Sequence, residues 1–279
     1  MITRGIIYIC LATFAFAWMN VVAKYLSDFH PLQIVFFRAM GSFAMILPVM
    51  LVNKVSIIGN NPSLLFLRGF LGLLSLSAFF IAIQKMPLGS AISIRYIGPI
   101  FGAALAVYFL KEKITKWQWL SFIIAFSGVL ILKGFDLRIP LDGFLIVLVS
   151  AFFLGGIFVL IRYLGSREHF LTIISYFMII SIIGSLFFIP FWRMPVGWEW
   201  WPVLTIGIFG AVGQIFMTKA FQLEETSVLA PFKYTELIYA LLIGFILFEE
   251  KYNWISLLGM SLITLGMITN VYWKAKKGT

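Results

Sequence analysis

The 279-residue sequence predicts an all-α integral membrane protein: ten transmembrane helices in a five-plus-five inverted-topology repeat. Three observations carry that expectation. The chain is 62% hydrophobic and only 11% charged, with a mean hydropathy of +1.02, whereas soluble domains carry about 25% charge. Its apolar runs have bilayer-spanning length and are parted by short polar or turn-rich segments. The chain also matches itself at one offset, across polar as well as apolar positions.

The spans are read in order from their separators. The first runs Gly5–Tyr25 and ends at Ser27-Asp28. Ala15-Phe16-Ala17 has the pattern of a signal-peptidase site behind Arg4, but the apolar run continues to Ala23 and the repeat needs a helix here. Pro31–Val52 follows, with Pro31 suited to a first helical turn. Asn60-Asn61-Pro62 opens Leu64–Gln84, and Lys85-Met86-Pro87 closes it. Leu88–Leu110 ends at Lys111-Glu112-Lys113, and Trp117–Lys133 ends before the polar stretch Asp136 to Asp142. The remaining spans are Gly143–Tyr163, Phe170–Phe191, Trp201–Gln222, Ser227–Phe248 and Tyr252–Tyr272. Tryptophans gather at span ends (Trp117, Trp119, Trp192, Trp198, Trp200, Trp201, Trp254, Trp273), as interfacial anchors do. With the N-terminus inside, ten Lys and Arg face the cytoplasm against six outside, so both termini are expected there. The net charge of +10 is mostly loop charge, which signals orientation and not nucleic-acid binding.

An offset of 138 residues places Gln84, Tyr96, Glu112, Lys113 and Gly128 on Gln222, Tyr234, Glu250, Lys251 and Gly266. It places Lys24 on Arg162 and Arg95 on Lys233, keeping both charges, and Gly69 and Gly72 on Gly207 and Gly210. The second and seventh spans need one extra residue, which puts His30 on His169. Two repeats follow, residues 5–134 and 143–272. Five spans is an odd number, so the second repeat enters the membrane upside down. This is the inverted arrangement of many secondary transporters, whose site lies near the midplane between the halves.

Charges inside the spans mark the candidate site. The ninth span carries Lys233, Tyr234, Thr235 and Glu236 together. A charge near the centre of a membrane helix costs about 2.5–3.5 kcal/mol on insertion scales, so such residues face protein or water. Arg38, Arg68 and Arg95 lie within the second, third and fourth spans. One acid cannot neutralise four cations, and the excess favours a ligand bearing a carboxylate or phosphate, which Arg can bind bidentately. Snorkelling to an interface is the plain alternative for Arg68 and, less so, for Arg38. Tyr96 and Tyr234 follow the paired cations, either as walls for a planar ligand or as packed aromatics. Gly98, next to Pro99, stands where the second repeat has Glu236; the pair should loosen the fourth helix and free its carbonyls. Glu236 either titrates, coupling transport to protons or binding an amine, or is held ionised by Lys233. Asn20, Gln214 and Trp18 are further cavity candidates.

Some chemistry is excluded. Cys10 is the single cysteine, and His30 and His169 stand alone in connecting segments, so neither a disulfide nor a metal site is expected. No cofactor is expected either. There is no G-x-S-x-G, H-E-x-x-H or Walker motif. An intramembrane enzyme is therefore the weakest alternative, behind a non-transporting assembly subunit. The oligomeric state is left open.

Phe109-Leu110-Lys111-Glu112-Lys113 and Phe248-Glu249-Glu250-Lys251, each followed by a Gly-bearing last helix, resemble the drug/metabolite transporter superfamily with two EamA-type domains. Phe36-Phe37-Arg38, Leu67-Arg68-Gly69 and Ala230-Pro231-Phe232-Lys233-Tyr234 are similar to its S-adenosylmethionine uptake carriers. The resemblance implies a small-metabolite permease of a bacterial inner membrane. It also implies a central cavity lined mainly by the first, third, fourth, sixth, eighth and ninth helices.

Overall fold

A computed structural model describes residues 4–110, 115–164, 167–223 and 232–278. The described residues form helices and their connections, with no strand among them. The helices are α1 (Arg4–Tyr25), α2 (Pro31–Val52), α3 (Pro62–Lys85), α4 (Leu88–Arg95), α5 (Gly98–Leu110), α6 (Lys116–Phe135), α7 (Leu141–Leu164), α8 (Phe170–Leu186), α9 (Trp200–Leu223), α10 (Thr235–Phe248) and α11 (Trp254–Gly278). Eight spans, with α4 and α5 counted as one, are long and apolar enough to cross a membrane; α8 and α10 are shorter apolar helices.

Several span ends differ from the expected bounds, three of them for identifiable local reasons. The fourth breaks at Tyr96-Ile97, just before the expected loosening at Gly98-Pro99. Pro99 has no N–H to offer the carbonyl of Arg95, and its ring crowds that carbonyl, so α4 ends there. The seventh stops at Leu186 instead of Phe191 and finishes in a 3-10 turn at Ile189–Phe191, because Pro190 cannot donate to the Leu186 carbonyl. The last helix starts at Trp254 because Asn253 caps it, accepting from the Ser256 N–H at 2.6 Å. Ser227 to Pro231, Lys111 to Lys113 and Glu224-Glu225 lie outside the described residues.

The paired caps confirm the one-residue shift in the second and seventh spans. His30 Nδ1 accepts from Leu32 N–H at 3.3 Å, and His169 Nδ1 accepts from Leu171 N–H at 3.2 Å. The two histidines are helix caps.

Contacts between connections sort cleanly by end of the bundle. At one end Lys85 pairs with Asp142 at 2.6 Å, Gln33 Nε2 donates to the Arg193 carbonyl at 2.6 Å, and the Arg193 guanidinium lies 3.9 Å from the Phe29 ring centroid. At the other, the Glu168 carboxylate accepts from the backbone N–H groups of Asn60 and Asn61 at 2.8 and 2.5 Å. Burial pushes the Glu168 carboxyl up, but those donors and the Asn61 amide outweigh it and hold it below the ordinary carboxylate range. Successive spans therefore run in alternating directions.

Helix packing follows a pseudo-two-fold. The α1–α9 contact repeats as α7–α3, α2–α9 as α8–α3, and α1–α10 as α7–α5. The contacts α2–α8 and α6–α11 map onto themselves. Equivalent positions meet equivalent neighbours. A Cβ on Gly207 would lie 2.7 Å from the Gly41 Cα; on its mate Gly69 it would lie 2.4 Å from Ile180, the mate of Gly41. A Cβ on Gly128 would lie 2.5 Å from the Gly259 carbonyl, and on Gly266 it would lie 2.6 Å from the Ser121 carbonyl. Lipid is as apolar as leucine, so membrane helices associate through such close small-residue approaches and through interhelical hydrogen bonds. Ser75 and Ser150 supply the latter between α3 and α7, each hydroxyl donating to the other's carbonyl at 2.9 and 2.7 Å.

Gly207→Leu should force α2 and α9 apart and cost about 1–3 kcal/mol or more, whereas Gly134→Ala, with nothing within 4 Å, should be neutral. Thermal unfolding in detergent checks this; equal midpoints for the two variants would contradict the packing.

Candidate functional site

The site forms where two spans break. α4 ends at Arg95 and α10 begins at Thr235, so the turns at Tyr96 and Tyr234, which are repeat mates, face each other. Their rings meet edge-on, 5.0 Å between centroids at 82°. Both breaks suit their charges. Arg95 lies in the last turn of α4 and Glu236 in the first turn of α10, the ends at which a helix dipole favours cation and anion respectively.

Glu236 is the centre of the polar contacts. Its Oε1 accepts from Asn20 Nδ2 of α1 at 2.9 Å, and its Oε2 accepts from the Tyr96 hydroxyl at 3.1 Å. The Tyr96 hydroxyl also lies 3.2 Å from the Lys233 carbonyl as a second acceptor. One carboxylate thus ties α1, the α4–α5 break and α10 together. Thr13 on α1 meets Thr235 at 2.8 Å, two turns along the same face as Asn20. Lys233 and Arg95 lie within electrostatic range of Glu236. Among the described residues, however, neither forms a contact ion pair with it. Lys233 Nζ lies 5.2 Å from the Phe158 ring centroid, and the Arg95 guanidinium lies 4.3 Å from that of Phe79.

The arrangement is one-sided. The mates of Asn20, Glu236 and Lys233 are Phe158, Gly98 and Arg95. One repeat supplies an amide and a carboxylate where the other has an aromatic ring and a bare backbone.

Arg38 and Arg68 form a second group. Both are buried, at 2% and 7% exposure, so Arg68 does not snorkel. Their guanidinium groups lie 5.1 and 4.7 Å from the centroid of one ring, Phe177 of α8. Arg38 Nε donates to the Met19 sulfur at 3.2 Å. Trp18 is half-buried and stacks on Phe209 at 6.2 Å, taking no part in the hydrogen bonds around Glu236; Gln214 is half-buried on α9. The Gln84 amide donates to the Phe29 carbonyl at 3.2 Å, near one end, and the Gln222 side chain lies outside the described residues.

Arg95 and Lys233 lie beside the polar cluster in which the Tyr96 and Tyr234 rings meet. Two apolar grooves of about 360 Å³ and 270 Å³ lie elsewhere, the first containing Leu74 and Phe153, the second Ile100 and Trp119, and no residue of the cluster lines either.

A second network, missed in the sequence, closes one end of the bundle. Glu249 ends α10 in a left-handed conformation, φ 52°, uncommon for a non-glycine. The next residue, Glu250, forms an ion pair with Lys24 of α1 and accepts the Leu88 N–H at the start of α4, at 2.9 and 3.0 Å to its two oxygens. Lys24 Nζ also donates to the Met86 carbonyl at 3.0 Å. The Tyr252 hydroxyl donates to Glu250 and accepts the Gly89 N–H at 3.1 Å. Burial, then the neighbouring Glu250 carboxylate, pushes the Tyr252 phenol well above its ordinary range. Two glycines make room: a Cβ on Gly244 would lie 2.7 Å from Glu250 Oε2, and one on Gly89 would lie 2.8 Å from the Tyr252 hydroxyl. In the sequence Lys24 stood out by the charge its repeat mate keeps, and Glu250 by its repeat mate and its place in the Phe248-Glu249-Glu250-Lys251 block, but nothing there joined the two.

In a Cys10→Ser background, Glu250→Gln should open this end. A cysteine replacing the buried Ser93 should then react several-fold faster with a membrane-impermeant maleimide. An unchanged rate would show that Glu250 does not close the bundle.

Comparison with known proteins gives one consistent answer. The model of the EamA-like transporter family matches residues 3–133 and 141–272. The chain is 28% identical to the pseudopaline exporter CntI of Pseudomonas aeruginosa over 290 aligned positions, covering 100% of this chain and 99% of that one. It is 27% identical to human solute carrier family 35 member G1, covering 90% and 74% respectively. It is 24% identical to the S-adenosylmethionine uptake transporter of Rickettsia felis, covering 98% and 94%. A solved crystal structure, 17% identical, superposes with a TM-score of 0.68 over 96% of both chains, which supports the fold. The chain is a multi-pass membrane protein that belongs to the EamA-like transporter family.

Proposed function

We propose that this protein is a secondary transporter, and not an enzyme, that moves a small polar metabolite across a bacterial inner membrane by alternating access. Both termini lie in the cytoplasm, and residues 5–134 and 143–272 act as the two five-helix domains. The observation that carries the reading is the Glu236 carboxylate, buried at the meeting of two broken spans and held by donors from α1 and α4. Broken helices at an inverted-repeat interface are where transporters of this architecture bind solutes.

The substrate is a carboxylate- or phosphate-bearing or zwitterionic molecule, amino-acid-like or related to nucleosides and S-adenosylmethionine. Arg38, Arg68, Arg95 and Lys233 supply cationic contacts, and Glu236 supplies one anionic contact. Asn20, Tyr96 and Tyr234 shape the centre, with Trp18 and Gln214 on adjoining helices. The relatives named for pseudopaline export and S-adenosylmethionine uptake support a polar metabolite and leave the direction open.

Access alternates through the Lys24–Glu250 network. With the Lys24–Glu250 lock on the outer face, the described conformation is closed outward. Opening it exposes the Leu88 N–H, the Tyr252 hydroxyl and the Glu250 carboxylate to water, which compensates for the lost bonds. Exchange of the two packings then moves the cluster's access from one face to the other. Glu236 has two fates in that cycle. It takes up a proton when water reaches it, or it holds the amine of a zwitterion in place of the Asn20 and Tyr96 donors.

Purified protein in liposomes, offered labelled S-adenosylmethionine and amino acids with and without a proton gradient, tests the reading. Wild type should accumulate at least one solute. Loss of a charge-assisted contact worth about 1.5–3 kcal/mol should lower uptake about tenfold to a hundredfold in Glu236→Gln and Arg95→Gln while both variants still insert. Full uptake by both variants would contradict the site, and retained gradient-driven accumulation by Glu236→Gln would remove it as the coupling residue.

A further inference from the structure

We infer that Arg38 and Arg68, clasping Phe177, form an anion subsite on the pseudo-two-fold axis, separate from the Glu236 group, which takes a carboxylate or comparable small anion. The inference rests on the transporter reading and deepens it.

Four observations carry it. First, both guanidinium groups are more than nine-tenths buried, and Arg38 Nη1 and Arg68 Nε and Nη1 have no hydrogen-bond partner. A buried unpaired charge costs several kcal/mol, and unsatisfied donors add to that cost. Second, no ion pair neutralises either arginine among the described residues, and Arg38 lies within electrostatic range of Arg68 and Arg95. Three cations held together repel one another unless an anion joins them. Third, among the described residues one ring, Phe177, supports both cations, at 5.1 and 4.7 Å. A cation–π contact orients a guanidinium but leaves its in-plane N–H groups free to donate. Two guanidiniums held on one ring thus present donors suited to a carboxylate.

The fourth observation is positional. Under the one-residue shift fixed by the His30 and His169 caps, Arg38 and Phe177 are repeat mates. Their contact joins α2 to α8, a pair that maps onto itself. Their neighbours agree, since a Cβ on Gly72 would meet the Phe177 ring at 2.5 Å and one on its mate Gly210 would meet Arg38 at 3.2 Å. A group bound beside Arg38 and Phe177 therefore sits on the axis about which the two packings exchange. It keeps its contacts through the exchange, while the one-sided Glu236 group changes its surroundings. The subsite anchors; Glu236 switches.

The test uses the full chain in detergent, with thermal unfolding read against acetate, inorganic phosphate and chloride titrated into sodium isethionate at constant ionic strength. Wild type should show a saturable rise in midpoint. Arg38→Gln and Arg68→Gln should each weaken the apparent affinity at least tenfold and, because they remove a buried unpaired cation, should be no less stable than wild type without the probe anions. Arg38→Lys should keep the charge and bind more weakly than wild type. Lys85→Gln, at an exposed ion pair, should respond as wild type does. Acetate binding tighter than chloride assigns the site to the solute's own carboxylate; chloride binding tighter assigns it to a free inorganic anion. Either supports the subsite. No saturable rise with any of the three anions in wild type, or an unchanged response in both glutamine variants, would overturn it. The readout needs no transport, so uptake in liposomes without an anion response would remove the subsite and leave the transporter reading standing, whereas an anion response without uptake of any solute would do the reverse.

Discussion

The structure depends on one buried carboxylate. Glu236 places an ionisable group inside an apolar bundle, and two neutral donors from the other repeat, Asn20 and Tyr96, satisfy its oxygens. To reach it, the fourth span must break at Tyr96, and Pro99 supplies the break by denying Arg95 a helical partner. To favour its charge, α10 begins beside it, aiming backbone dipoles at the carboxylate. A carboxylate at this place thus requires the particular way in which two spans are interrupted, and it joins the halves by hydrogen bonds that water can replace once the bundle opens.

The rest of the bundle keeps the two halves close without welding them. In lipid there is no hydrophobic drive to press helix on helix. Contact comes from Gly41 against Gly207 and Gly128 against Gly259, where backbones nearly touch, and from side chains that cap and lock the ends. The seams are related in pairs by the pseudo-two-fold, so the alternating access proposed here exchanges two packings of nearly equal energy for most of the protein. What distinguishes them are the unmatched groups: Glu236 against Gly98, Asn20 against Phe158. Asymmetric charge on a symmetric frame gives a solute a way to favour one packing over the other, since only differential contacts shift a conformational equilibrium.

Much of this was legible in the sequence. Helix content, span order and the repeat followed from apolar run length and from polar positions kept at one offset. The buried charges announced themselves by their cost. The exact ends did not, because Pro99 and Pro190 act on carbonyls four residues earlier and Asn253 acts as a cap, effects that hydropathy does not register. The partners of the buried charges were also hidden. Phe79, Phe158 and Phe177 look like ordinary lipid-facing or core aromatics until the fold sets cations over their rings. The Lys24–Glu250 lock was hidden differently. Both residues sit at span ends, where charge is expected, and only the left-handed turn at Glu249 brings Glu250 back onto α1 and α4. The Glu236 node lay between these cases: the acid stood out, but its donors come from helices more than a hundred residues away.

The central claim is that the two repeats exchange packings about the axis, so that closure at one end accompanies opening at the other. Tyr25 and Leu247 are exposed at the Lys24 end of α1 and α10, and their mates Tyr163 and Phe109 are exposed at the opposite end of α7 and α5. Spin labels at Tyr25 and Leu247, and separately at Tyr163 and Phe109, report the two distances by double electron–electron resonance. In a Glu250→Gln background the account predicts a longer Tyr25–Leu247 distance together with a shorter Tyr163–Phe109 distance, each relative to the native lock. Both distances changing in the same direction, or only one changing, would contradict it.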